Sequence, residues 1–144
     1  MLDGIFYATL HRMEYDVIFP NGMEALGGAC ACRLLRLTPE STAFILQNAE
    51  NGSERLLLGD VRRIGPAALP VLSAEELSAL GCLPGEMLET IPDDVAVLCR
   101  MRIPHEKPQE AGFDLARLVF VNTRTGKALE AERPGAPLMP LASR

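Results

Sequence analysis

Val97–Pro104, VLCRMRIP, and Val119–Leu129, VFVNTRTGKAL, decide how this chain folds. Each is a short apolar run that ends in a turn signal: Ile103-Pro104 in the first, Asn122-Thr123-Arg124-Thr125-Gly126 in the second. Carried back to Val95, the first run puts Val95, Val97, Cys99, Met101 and Ile103 on one face of a strand by the two-residue period. Its other face starts with Ala96 and Leu98 and turns polar at Arg100 and Arg102. That pattern predicts a strand covered on both sides at its start and solvated on one side at its end. The second run widens to Leu115–Asn122 and is apolar on both faces over Leu118–Val121.

Weaker strand signals surround these two. Ile5–Leu10 and Asp16–Phe19 are candidates, and Pro20-Asn21-Gly22 is expected to close them as a turn, since Pro fixes φ and Gly accepts positive φ. GGACACRLLRL, residues 27–37, begins with glycines and becomes apolar, and Ala43–Leu46 follows. Asn51-Gly52 is the strongest hairpin signal in the chain, with Glu54–Leu58 returning as partner. Gly65-Pro66 and Pro70 predict an irregular segment. One helix stands out: Ser73 as N-cap with Glu76 three residues on forms a capping box, Leu72 and Leu77 a staple, and Gly81 a left-handed stop. Residues 104–112 read as a polar loop, and Ala128–Leu129 begins a return after the Gly126 turn. Six or seven short strands with no strand–helix alternation predict a mostly β chain. The expected architecture is a small antiparallel β-barrel-like single domain spanning 1–144, with one or two short helices and a Pro-rich extended tail from about residue 134.

The totals agree with one domain. A chain of 144 residues buries roughly 70% of the surface its unfolded form exposes, enough for a core without disulfide or metal. Apolar residues make up 48%, with no Trp, two Tyr and five Phe, so the core must be built mainly from Leu, Val, Ile, Ala and Met. The net charge of −5 disfavours nucleic acid and anionic membrane as direct partners. No basic leader with an apolar core opens the sequence and no run reaches the length of a membrane span, so a cytoplasmic protein with reduced thiols is expected.

Candidate chemistry is sparse. Gly126-Lys127 lacks the upstream Gly of a phosphate loop, and Ala128 replaces its Ser or Thr, so a hairpin turn is the reading. Cys30-Ala31-Cys32 would point two thiolates to one side of a strand, but a zinc site needs four ligands, and Cys82, Cys99, His11 and His105 are scattered. Neither cofactor nor metal is therefore expected. A thiol-dependent enzyme or redox sensor using Cys30/Cys32 or Cys99 is the alternative reading. Glu75-Glu76 and Asp93-Asp94 suit a helix first turn and a strand start. Asn51-Gly52-Ser53 reads as a hairpin tip. Arg100, Arg102, Arg117, Arg124 and Lys127 would make a basic face if the two strong strands are neighbours.

Read in order, IFPNG, FILQNAEN, ERLLLGD, LSAEELSALG, DDVAVLCRMRIP, VFVNTRTGKAL and APLMPL resemble the bacterial flagellar assembly factor family FliW. The family's turn, Leu-Gln pair, helix end, strand ends and tail fall on Phe19-Pro20-Gly22, Leu46-Gln47, Leu80-Gly81, Val97–Pro104, Val119–Thr123, Pro137-Leu138 and Pro140-Leu141. The match runs from about residue 7 onward. The chain departs from the pattern at Ile45, Asp114, Arg117-Leu118, Gly59-Asp60 and Glu24–Gly27, as a diverged member would, and a β-barrel with a different protein partner is the variant of this reading. The resemblance implies a barrel without catalysis that binds flagellin and antagonises the translational regulator CsrA, coupling flagellin synthesis to export. Partner-binding positions are then expected at the turn ends: Phe19, Gln47, Asn48, Asn122, Thr123 and Arg124. Gln47 and Asn122 can equally cap strand ends by hydrogen bonds.

Overall fold

A computed structural model describes residues 13–38, 42–64, 72–81, 94–102, 112–133 and 138–140. The expected strand Ile5–Leu10, the Gly65-Pro66 segment, His11, Cys82 and His105 lie outside them. The elements are β1 (Glu14–Met23), β2 (Ala29–Arg36), β3 (Ala43–Asn48), β4 (Arg55–Asp60), α1 (Val61–Ile64), α2 (Ala74–Ala79), β5 (Val95–Arg102), β6 (Gly112–Asn122), β7 (Ala128–Glu132) and β8 (Leu138–Pro140). Strands β1 to β7 pair in chain order, every pairing antiparallel, and β8 joins the start of β6. The two outer strands meet at one parallel bridge, Ile18 with Lys127, where the Ile18 N–H donates to the Gly126 carbonyl at 2.8 Å. The sheet is thus a nearly closed, mostly β barrel.

The double-sided apolar pattern of β5 and β6 has a direct structural meaning. Ala96 and Leu98 of β5 and Val119 and Val121 of β6 point into the barrel, where they join Val17, Phe19, Leu34, Phe44, Leu46 and Leu58. Val95, Val97 and Cys99 with Leu118 and Phe120 point outward and are roofed by Val61, Leu72 and Leu80 from the helical segments. One strand pair therefore serves two cores. A fully buried side chain of this size stabilises by about 1.5–3 kcal/mol, so both faces contribute substantially.

The helix forms as its capping chemistry predicts. The Ser73 hydroxyl accepts from the Glu76 N–H at 3.1 Å and the Glu76 carboxylate accepts from the Ser73 N–H at 2.9 Å. Gly81 follows with φ +78°, the left-handed stop. Only six residues long, the helix needs tertiary anchors. Buried Leu80 supplies one. The other is an ion pair: the Arg133 guanidinium donates to the Glu76 carboxylate at 2.8 and 3.1 Å, while stacking 5.7 Å from the Phe120 ring centroid.

Two expectations need correction. Pro20-Asn21-Gly22 does not close a strand; β1 runs through it to Met23. Between Ile18 and Met23 the register with β2 shifts from Ile18–Ala31 to Met23–Ala29, so the segment is a bulge. Gly22 permits it, with φ +79° and a position where a Cβ would stand 2.6 Å from the Gly28 carbonyl oxygen. The chain reverses later, through a single 3-10 turn at Glu24–Leu26 and Gly27-Gly28. Second, β6 carries an irregularity absent from the sequence reading: Cys99 pairs with Leu118 but Arg100 with Asp114. The intervening residues bow out, and the Asp114 carboxylate accepts the Ala116 N–H at 3.0 Å to hold the bow.

Burial pushes the Glu76 carboxyl up, but the hydrogen bonds from Arg133 and Ser73 outweigh it and hold the group below its ordinary value of 4.5. A carboxyl depressed on folding adds stability that is complete above the unfolded value and disappears as pH falls through the folded one. Urea midpoints of the wild type should therefore exceed those of Glu76→Gln near neutral pH, and the gap should close on acidification below the ordinary glutamate range. A gap independent of pH would show that the charge at Glu76 does not hold α2.

Candidate functional site

The sequence ends β6 in Asn122-Thr123-Arg124-Thr125-Gly126, and the backbone there is tied down on all sides. Asn122 is fully buried. Its amide donates to the Leu80 carbonyl at 2.7 Å, and its side-chain oxygen accepts the Arg124 N–H at 2.9 Å. Its own N–H donates to the Lys127 carbonyl at 2.8 Å and its carbonyl accepts the Gly126 N–H at 2.7 Å. The Thr123 hydroxyl and N–H both donate to the Asp94 carbonyl, at 2.9 and 2.8 Å. The outcome is a stiff turn from which the Arg124 side chain, 55% exposed, projects beside Asp94 at 3.3 Å.

Phe19 is buried within the barrel at the β1 bulge. Beside it lies an open groove of about 560 Å³, lined by Phe19–Gly22, Glu24, Gly27 and Gly28, by Ala128–Glu130 of β7 and by Ala79 of α2. Asn48 sits at the end of β3. Its amide donates to the Leu26 carbonyl at 3.2 Å and to the Glu54 carboxylate at 2.9 Å, and its side-chain oxygen accepts the Glu50 N–H at 2.8 Å. It thereby ties the β3–β4 hairpin to the turn that borders the groove. Gln47, half-buried, pairs with Arg55 and Arg33 across the sheet.

Five of the six expected positions therefore fall into two groups, Gln47 with Asn48 and Asn122 with Thr123 and Arg124, and β1, which carries Phe19, links them. Asn48 reaches the turn after β1, and the Ile18–Gly126 hydrogen bond joins β1 to the other turn. Arg124 presents an exposed side chain, and Gln47 and Thr123 partly exposed ones; Phe19 and Asn122 are interior and shape the surface from beneath. Glu24 and Glu130, which line the groove, carry no binding signal in the sequence; only the sheet order brings them together.

The described thiols differ in accessibility. Cys30 is exposed while Cys32, two residues on, is buried. Burial, then the neighbouring Cys30, raises the Cys32 thiol, and burial reinforced by Asp114 and Asp60 pushes the Cys99 thiol up to about 12. No group of three or more potential metal ligands occurs among the described residues. The expected basic face is largely neutralised: Arg100 pairs with Glu130 at 2.6 Å, Arg117 with Glu132 at 3.3 Å, and Arg124 with Asp94.

Fold and site together define a small antiparallel barrel with stiff turns around a bulged edge. The same fold is seen in a crystal structure of the flagellar assembly factor FliW: TM-score 0.68, over 87% of this chain and 82% of that one, at 17% sequence identity. No protein-family model and no curated protein matches the chain. No helix among the described residues is long and apolar enough to cross a membrane.

Two outcomes follow from this geometry. Asn122→Ala leaves the Leu80 carbonyl without its shortest buried donor and should destabilise the fold by about 1–3 kcal/mol in urea unfolding; an unchanged midpoint would remove the structural role given to Asn122. In native protein, a thiol reagent should label Cys30 quickly and reach Cys32 and Cys99 only on unfolding, as peptide mapping would show. Rapid native labelling of Cys99 would contradict its burial.

Proposed function

We propose that this chain is a non-enzymatic, cytoplasmic regulator that works by binding other proteins, with flagellin and the translational regulator CsrA as its partners. The observation that carries the reading is the FliW-like fold over 87% of the chain. In this reading Gln47, Thr123 and Arg124 meet the partner. Phe19, Asn48 and Asn122 hold the bulge and the two turns in the shape that partner recognises, since rigid loops lower the entropy cost of binding. Arg124 is the cleanest probe, because its exposed pairing with Asp94 adds little to stability.

Purified domain should capture flagellin or CsrA from the same organism at micromolar concentration in a pull-down. Arg124→Ala should weaken capture about threefold to thirtyfold, a loss of roughly 0.7–2 kcal/mol, without changing the unfolding midpoint. A folded domain that captures neither protein would defeat the flagellar reading.

A further inference from the structure

The barrel is closed at a single bridge, and the sequence explains why it closes no further. After Ile18, β1 reaches Pro20, which has no N–H to offer, and then bulges at Gly22. Among the described residues, no strand pairs with the outer edge of β7 beyond that bridge, although β1 passes close by. Its outward groups follow from register. Asn122 and Lys127 form a hydrogen-bonded pair, so in the antiparallel ladder Phe120–Leu129 is the next such pair. Leu129 therefore turns its backbone groups toward β6, whereas Ala128 and Glu130 turn theirs away. Among the described residues, the outward N–H and C=O of Glu130 meet no partner strand, and they face the groove.

We propose that this β7 edge accepts an extended, cationic segment of a partner protein as an added strand. The backbone groups of Glu130 would supply the ladder, as in other β-augmentation sites. Charge selects the occupant. The groove lining contains two carboxylates, Glu24 and Glu130, and neither Lys nor Arg. Arg100 holds the Glu130 carboxylate, while Glu24 is exposed and has no ion pair among the described residues. The chain as a whole carries −5. Ile18, 48% exposed at the closing bridge, adds an apolar contact, so a segment alternating basic and apolar side chains fits best. The proposal deepens the protein-binding reading and rests on it.

The test uses the full chain and three capped hexapeptides: alternating Lys and Val, the same peptide with alternate backbone nitrogens methylated, and alternating Glu and Val. Amide hydrogen exchange is followed by NMR at Glu130. In free protein the Glu130 amide should exchange quickly while Leu129 and Ala131 are protected. The Lys–Val peptide should slow Glu130 about tenfold or more at saturation. The methylated and Glu–Val peptides should not, and Glu24→Lys should weaken Lys–Val binding about threefold to tenfold. Absence of Lys–Val binding at about 1 mM would overturn the proposal. So would equal protection by the methylated peptide, or a Glu130 amide already protected in dilute free protein. Protection that grows with protein concentration and needs no peptide would overturn it in favour of a second copy at the same edge. The two readings separate cleanly: peptide binding without capture of flagellin or CsrA defeats the flagellar assignment alone, and capture that leaves the Glu130 amide unprotected defeats the edge alone.

Discussion

The β5–β6 pair is buried on both faces, and the rest of the molecule is organised around that constraint. Side chains alternate along a strand, so Leu98 and Val119 fill the barrel while Val97 and Phe120 need a second cover. A slip of one residue would exchange the two sets, which makes the register hard to change. The outer face calls for the helical segment between β4 and β5. Val61 opens that segment, and the Arg62 guanidinium fastens it by donating to the Val95 carbonyl at 2.9 and 3.3 Å. The bow in β6 then divides its length, so that one half pairs with β7 and the other with β8.

Polar contacts join the two layers where apolar packing alone would let them slide. The Asn122 amide bonds to the carbonyl of Leu80, the residue that caps the end of α2, and Arg133, just past β7, bonds to the first turn of the same helix. One helix of six residues is thus gripped at both ends. The turn that presents Arg124 inherits this rigidity, because the residue gripping the helix is also the one that accepts the Arg124 N–H. Fold stability and the shape of the candidate surface share the same hydrogen bonds.

Much of the architecture was legible in local sequence. The capping box at Ser73 and the two-sided apolarity of β5 and β6 each name a local cause and appear where that cause puts them; Asn51-Gly52 marks the β3–β4 hairpin, which turns through a longer connection with Gly52 outside positive φ. The failures were non-local. Pro20-Asn21-Gly22 has the composition of a turn, but the pairing of Glu14–Ile18 and Met23 with β2 makes it a bulge. The bow in β6 likewise comes from its register with β5, where Cys99 pairs with Leu118 but Arg100 with Asp114. The candidate surface was legible only in part. Asn122 and Asn48 stand out as turn residues, yet their acceptors, Leu80 and Leu26, lie 42 and 22 positions away in sequence. Glu24 and Glu130 carry no local signal at all.

The strand order has a kinetic side. Each of the seven barrel strands lies beside its predecessor in the chain, so assembly can proceed by adding one strand at a time onto a growing meander. The junction of Ile18 with Lys127 is different: it joins the two extremes of that meander and closes a loop of more than a hundred residues with a single bridge. Contacts with so long a closure and so few bonds form late and open early. The barrel should therefore breathe at this junction well before it unfolds, at the place where its interior comes nearest to a passing polypeptide.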